Sequence, residues 1–131
     1  MTPTVITLAW ALLLLAIDQI WIQGASSLHR SVVQAVQGSE LTVDLVAGAG
    51  FYALGALAFY TFLLNNPSVN EKNVALYAFI LGICMFGTFD LTNKAIFKNY
   101  TWDYAIKDTL WGGFVFAVTS FIIYQVKSNF I

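Results

Sequence analysis

The sequence predicts an all-α integral membrane protein, a bundle of four transmembrane helices with a short interfacial helix between the first and second spans. Three observations predict it. Apolar residues make up 59% of the chain and charged residues only 10%, far from the roughly half-apolar, one-quarter-charged composition of soluble domains. Four apolar stretches are each about 20 residues long, enough at about 1.5 Å per residue to cross about 30 Å of hydrocarbon. The segments between them carry turn-forming or amphipathic residues. At 131 residues there is room for one domain, 1–131, and not for two soluble ones.

The first span is expected over about residues 5–22. It lacks a preceding Lys or Arg, its apolar run is long, and Asp18 lies inside it, so it reads as a span and not as a cleaved signal. After it, Leu28, Val32, Val33 and Val36 recur at helical spacing with Ser31, Gln34 and Gln37 interleaved. That pattern predicts a short interfacial helix within Ser26 to Glu40.

The second span, about 45–64, carries Ala49, Ala53 and Ala56 on one face with Gly48, Gly50 and Gly55 nearby. Small residues at this spacing allow close helix packing in lipid, within the bundle or between copies. Asn65-Asn66-Pro67-Ser68 predicts a turn, because Pro cannot continue a helix and Asn tolerates turn backbone. The third span, about 74–97, then folds back on the second. The fourth, about 104–126, follows Asn99-Tyr100-Thr101-Trp102, whose aromatic pair is expected at headgroup level.

Charge and side-chain chemistry exclude several functions. A net charge of −1, with no basic cluster longer than a pair, gives no footprint for nucleic acid. The lone Cys84 excludes an intrachain disulfide, a Cys-x-x-Cys redox pair and a cysteine zinc site. One histidine, His29, cannot supply two axial haem ligands or a multi-histidine metal centre and is expected as an interfacial polar residue. No cofactor or metal is expected. The loops after the first and third spans and their flanks hold Arg30, Lys94, Lys98 and Lys107, against Lys72 and Lys127 on the other side. The positive-inside rule therefore puts the first set in the cytoplasm.

Function is sought in the three acids that fall inside spans: Asp18 in the first, Asp90 in the third and Asp108 in the fourth. Counted from their span ends, all three lie roughly 6 to 12 Å below one surface. Trp21, Asn93 and Trp111 follow them three positions on, and such positions share a helix face. Tyr52 reaches a similar depth from the second span, and Thr92 extends the polar stretch of the third. Three unpaired carboxylates at mid-membrane would cost on the order of 8 to 10 kcal/mol, although their off-centre depth reduces this. Crowded, desolvated acids are expected to hold a shared proton at neutral pH and could bind a cation or relay a proton. The structural alternative is that the Trp21 and Trp111 indoles and Lys94, one turn from Asp90, satisfy the acids and simply hold the spans together.

These segments also resemble a known family. Asp18-Gln19-Ile20-Trp21, Phe51-Tyr52, Phe86-Gly87-Thr88-Phe89-Asp90-Leu91-Thr92-Asn93 and Lys107-Asp108-Thr109-Leu110-Trp111-Gly112 are similar, in order and spacing over nearly the whole chain, to small membrane proteins grouped as domain of unknown function 2177. The most specific piece is Gly-Thr-Phe-Asp-Leu-Thr-Asn, which resembles that family's Gly-Thr-Tyr-Asp-Leu-Thr-Asn. Lys94 departs from the family's usual apolar residue. The resemblance implies four spans and a shared polar motif, but no activity.

Three classes of function are compatible with these residues. One is transport or binding of a proton, cation or small ligand at the acidic cluster, by an oligomer because four short spans rarely enclose a pathway alone. Another is a non-catalytic subunit of a larger membrane assembly, such as a respiratory or photosynthetic complex or a viral internal membrane, with its 16% aromatic content serving lateral packing. The least favoured is a lipid-acting enzyme, since Thr119 and Ser120 have no histidine partner and no nucleophile arrangement is evident.

Overall fold

The computed structural model describes residues 1–130. Five helices follow in order: α1 (Pro3–Gly24), α2 (Ser26–Gln37), α3 (Leu45–Ala58), α4 (Val74–Ile96) and α5 (Trp102–Phe130). A π-helical segment, Phe59–Leu64, continues α3 without a break. Among the described residues, four helical stretches are long and apolar enough to cross a membrane: α1, α3 with its π extension, α4 and α5. The helix bounds lie within a few residues of the expected spans, and α5 overruns its expected span at both ends. Its 29 residues amount to about 43 Å of helix, more than the hydrocarbon thickness.

Local chemistry sets the ends. Thr2 caps α1 by accepting from the Val5 amide at 3.2 Å, and Pro3 takes the first helical position, where a missing N–H costs nothing. Gly38 ends α2 with φ 74°, a left-handed conformation that glycine adopts without a Cβ clash. Asp44 caps α3 by accepting from the Val46 and Ala47 amides. The predicted turn forms after Leu64: Asn66 accepts from the Ser68 amide at 2.9 Å. Asn73 then donates to the Ser68 carbonyl and accepts from the Asn70 amide, both at 2.8 Å.

α4 and α5 make an intimate antiparallel hairpin. A Cβ on Gly82 would overlap the Gly112 carbonyl, one on Gly112 would overlap Phe86, and one on Gly113 would lie 2.7 Å from Phe79. These three glycines, not those of the second span, give the closest helix approach. A methyl group added at Gly48 or Gly50 would have nothing within 4 Å, and Ala49 and Ala53 are exposed. Only Gly55 of that group faces a neighbour, with the Trp10 ring 3.5 Å from where its Cβ would be.

The α1 helix packs on α5 and α3 through a central aromatic knot. Trp10, fully buried, stacks on Phe59 at 4.8 Å and meets Phe116 edge-on at 5.1 Å. Its indole donates to Ser120 at 2.9 Å, which satisfies two polar groups that lipid could not. The π segment brings Leu63 beneath α5, where the Tyr124 hydroxyl donates to the Leu63 carbonyl at 2.9 Å.

The α2 helix lies over the end of the bundle formed by the α4–α5 turn. Val32 packs with Tyr100 and Ala105, and Asn99 donates its side-chain amide to the Ala35 carbonyl at 3.0 Å. The aromatic pair Tyr100 and Trp102, expected at headgroup level, lies at this end of the bundle. Trp102 is exposed, but Tyr100 is buried because α2 covers it.

Candidate functional site

The three span acids meet beneath α2, each with no more than 7% of its surface exposed. The pairing of acids and indoles is crossed between helices. Trp21 on α1 donates to Asp108 on α5 at 2.8 Å, while Trp111 on α5 donates to Asp18 on α1 at 2.8 Å. Each Asp-x-x-Trp segment thus satisfies the other's carboxylate, and the two indoles stack at 6.0 Å between them. Three-residue spacing puts acid and indole on the same face, and antiparallel α1 and α5 set the two faces opposite one another.

Asp18 is completed by the Tyr52 hydroxyl, which donates to its other oxygen at 2.7 Å. Asp90 is held from α5 and the turn before it: Tyr100 donates to one oxygen at 2.5 Å and Thr109 to the other at 3.3 Å. The carboxyl groups of Asp90 and Asp108 adjoin. Burial and the neighbouring Asp90 carboxylate push the Tyr100 phenol well above its ordinary value, so it remains a donor.

Asp18 and Asp108 open onto a cavity of about 420 Å³ between α1, α2, α4 and the start of α5. Trp21, Phe86, Phe89 and Tyr104 supply aromatic wall, and His29 and Arg30 line the α2 side. His29 is more than an interfacial residue. Its Nε2 donates to the Trp21 carbonyl at 3.2 Å, which leaves Nδ1 of a neutral ring to accept from the Tyr104 hydroxyl at 2.7 Å. It therefore clamps α2 to both α1 and α5. Towards the opposite membrane face the cavity stops short of the Trp10, Phe59 and Phe116 knot.

Two expected members are placed elsewhere. Thr92 is exposed on the outer face of α4, two residues along from Asp90 and so about 200° round the helix. Asn93 is half-buried and lines a separate pocket of about 180 Å³ beneath α2, with Val32, Val36 and Tyr100. Lys94 does not pair with Asp90. Its ammonium sits 5.6 Å from the centroid of the Trp102 ring, and Asp90 already has two hydroxyl donors. The residues that sequence reasoning misses are Tyr100, Thr109, Tyr104, Arg30, Phe86 and Phe89. A signal for Thr109 exists, since it adjoins Asp108. Tyr100 reads as a headgroup residue because its burial depends on α2, which no local pattern reveals.

The family model described as a predicted membrane protein, DUF2177, matches residues 4–125. The chain belongs to this family. No curated protein and no solved structure matches it. The family match spans all four transmembrane helices and every acid of the cluster, so the crossed clasp lies wholly within the family's domain. It establishes a small multi-pass integral membrane protein.

Proposed function

We propose that this DUF2177 protein binds a proton or small cation at the Asp18–Asp90–Asp108 cluster, entering from the α2 face, as the loading step of transport. One observation carries this reading: the three buried acids have neutral donors but, among the described residues, no salt-bridge partner. Among the described residues the sole salt bridge is Lys107–Asp103 at 3.1 Å, with both side chains more than half exposed. Indole and hydroxyl donors stabilise a carboxylate but do not cancel its charge, and uncompensated charge at membrane depth is costly. A proton shared between the adjoining Asp90 and Asp108, or a cation beside Asp18 and Asp108, removes that cost. The α2 face is assigned to the cytoplasm by the basic residues Arg30, Lys94, Lys98 and Lys107.

The experiment is cation-dependent flux in liposomes with a pH-sensitive dye inside. Asp90→Asn and Asp108→Asn keep the hydrogen-bond acceptor but remove the charge, and both are expected to abolish flux. Flux unchanged in both variants would overturn the proposal.

A second reading is favoured by the outer face of α3. Gly48 and Gly50 are open, and Leu45, Val46, Leu54 and Leu57 are at least 60% exposed. This face suits packing of another transmembrane helix, from a second copy or from a larger assembly. Purification from the native membrane in mild detergent separates the two: co-purifying subunits in fixed ratio support assembly, and a lone chain refutes it.

A further inference from the structure

We infer that the 420 Å³ cavity receives a small zwitterion, its ammonium group against Asp18 and Asp108 and its acidic group against Arg30. The inference rests on the cation-binding reading above and names the ligand class.

Size argues first. At about 30 Å³ per water in the liquid, the cavity is many times larger than a bare ion needs. Donor chemistry argues next. No group of three or more His, Cys, Asp or Glu among the described residues could hold a metal ion. Both oxygens of Asp18 already accept from Trp111 and Tyr52, and Asp108 accepts from Trp21. What remains is negative charge with too few free lone pairs to build the full oxygen shell that a bare metal cation seeks, a shell that an alkylammonium group does not need.

The walls agree with this. Trp21, Phe86, Phe89 and Tyr104 come from three helices, and aromatic faces attract alkylammonium groups, which shed water more readily than small metal ions. Arg30 then needs an explanation. It lines the same cavity from α2, is exposed, and makes no salt bridge. A guanidinium there would repel a simple cation, whereas a ligand bearing its own carboxylate or phosphate would meet it with a charge-assisted pair. Opposite charges on the two sides of one aromatic-walled cavity match a molecule that carries both signs. Such a group can come from a free solute or from a lipid headgroup.

The test is titration of the full-length protein in phosphatidylglycerol nanodiscs, read by tryptophan fluorescence, since Trp21 lines the cavity. Probes are glycine betaine, choline, acetate and potassium. Betaine is expected to bind tighter than choline, with acetate silent. Arg30→Gln should lower betaine affinity about fivefold, towards that of choline, a modest loss because Arg30 is exposed. Asp108→Asn should abolish binding of both, and Phe89→Leu, at a lipid-facing wall position that tolerates change, should weaken both. Repeating the titration in phosphatidylcholine nanodiscs separates the sources: weaker apparent betaine binding there indicates headgroup competition, and equal binding a free solute. If choline equals betaine and Arg30→Gln changes nothing, the zwitterion is overturned while cation binding stands. If potassium alone binds, the ligand class is wrong. If no cation binds and the liposome flux is also absent, both proposals fall.

Discussion

The crossed clasp makes a quantitative prediction, testable by a double-mutant cycle on Asp18 and Trp111. The indole-to-carboxylate bond is 2.8 Å long, within the range of charge-assisted hydrogen bonds. In water-soluble proteins a bond to a charged group contributes about 1.5–3 kcal/mol, but interhelical polar pairs in membranes average about 0.6 and reach about 1.7 kcal/mol. This bond joins a carboxylate that is only 5% exposed, so the upper part of the membrane range applies, about 1–1.5 kcal/mol. That is close to tenfold in the unfolding equilibrium. The cycle uses Asp18→Leu, Trp111→Phe and the double variant, with reversible unfolding in mixed dodecylmaltoside and dodecyl sulfate micelles. A second cycle pairs Asp18 with Trp21, its neighbour three positions along the same helix. Because Trp21 donates to Asp108, that coupling should stay below about 0.5 kcal/mol. A same-helix coupling equal to or larger than the cross-helix one would refute the crossed arrangement.

Other outcomes follow from the packing and from the polar network. Gly82→Ala and Gly112→Ala insert a methyl into occupied space and should each destabilise by about 1–3 kcal/mol, whereas Gly50→Ala should be nearly neutral in the same micelle assay. Lys94→Gln should leave flux intact, because the ammonium faces Trp102 and not the acids; lost flux would show that it serves Asp90 after all. The Tyr100 phenol is raised by burial and by Asp90, so the folded protein keeps this proton at pH values where the unfolded chain, near 10, loses it. The stability that this contributes is present below about pH 10 and falls as pH rises through the folded value. Alkaline unfolding should therefore show a shallower pH dependence in Tyr100→Phe, measured against wild type.

The spans are legible because the bilayer imposes a length and a composition that the chain displays openly. The acid cluster is legible too. Counting rise per residue places Asp18, Asp90 and Asp108 at one depth, and antiparallel connectivity then brings them together. Partner choice is harder to read. Periodicity shows that Trp21 shares a face with Asp18 but not that α5 lies opposite that face, so the exchange of partners needs tertiary structure. The same limit explains Lys94, whose one-turn spacing from Asp90 allows a pair that the rotamer towards Trp102 replaces. Thr92 fits the cluster by chemistry, but its helical angle points away from Asp90. Glycines mislead in the same manner: α3 has them at suggestive spacing and leaves Gly48 and Gly50 open, while Gly82 and Gly112 stand apart in sequence and meet in space.

The wider coil at Phe59–Leu64 governs which way the two halves of its transmembrane rod face. A wider turn accommodates an extra residue and so shifts the angular phase of everything beyond it. With that phase, Tyr52 reaches Asp18 on one half while Phe59 and Leu63 lie fully beneath the Trp10 ring and Tyr124 on the other. Winding the same residues into ordinary α-helix, with no wider turn to absorb one of them, would turn one half by about 100° against the other. The acid nest and the aromatic plug could then no longer be engaged by the same rod at the same time.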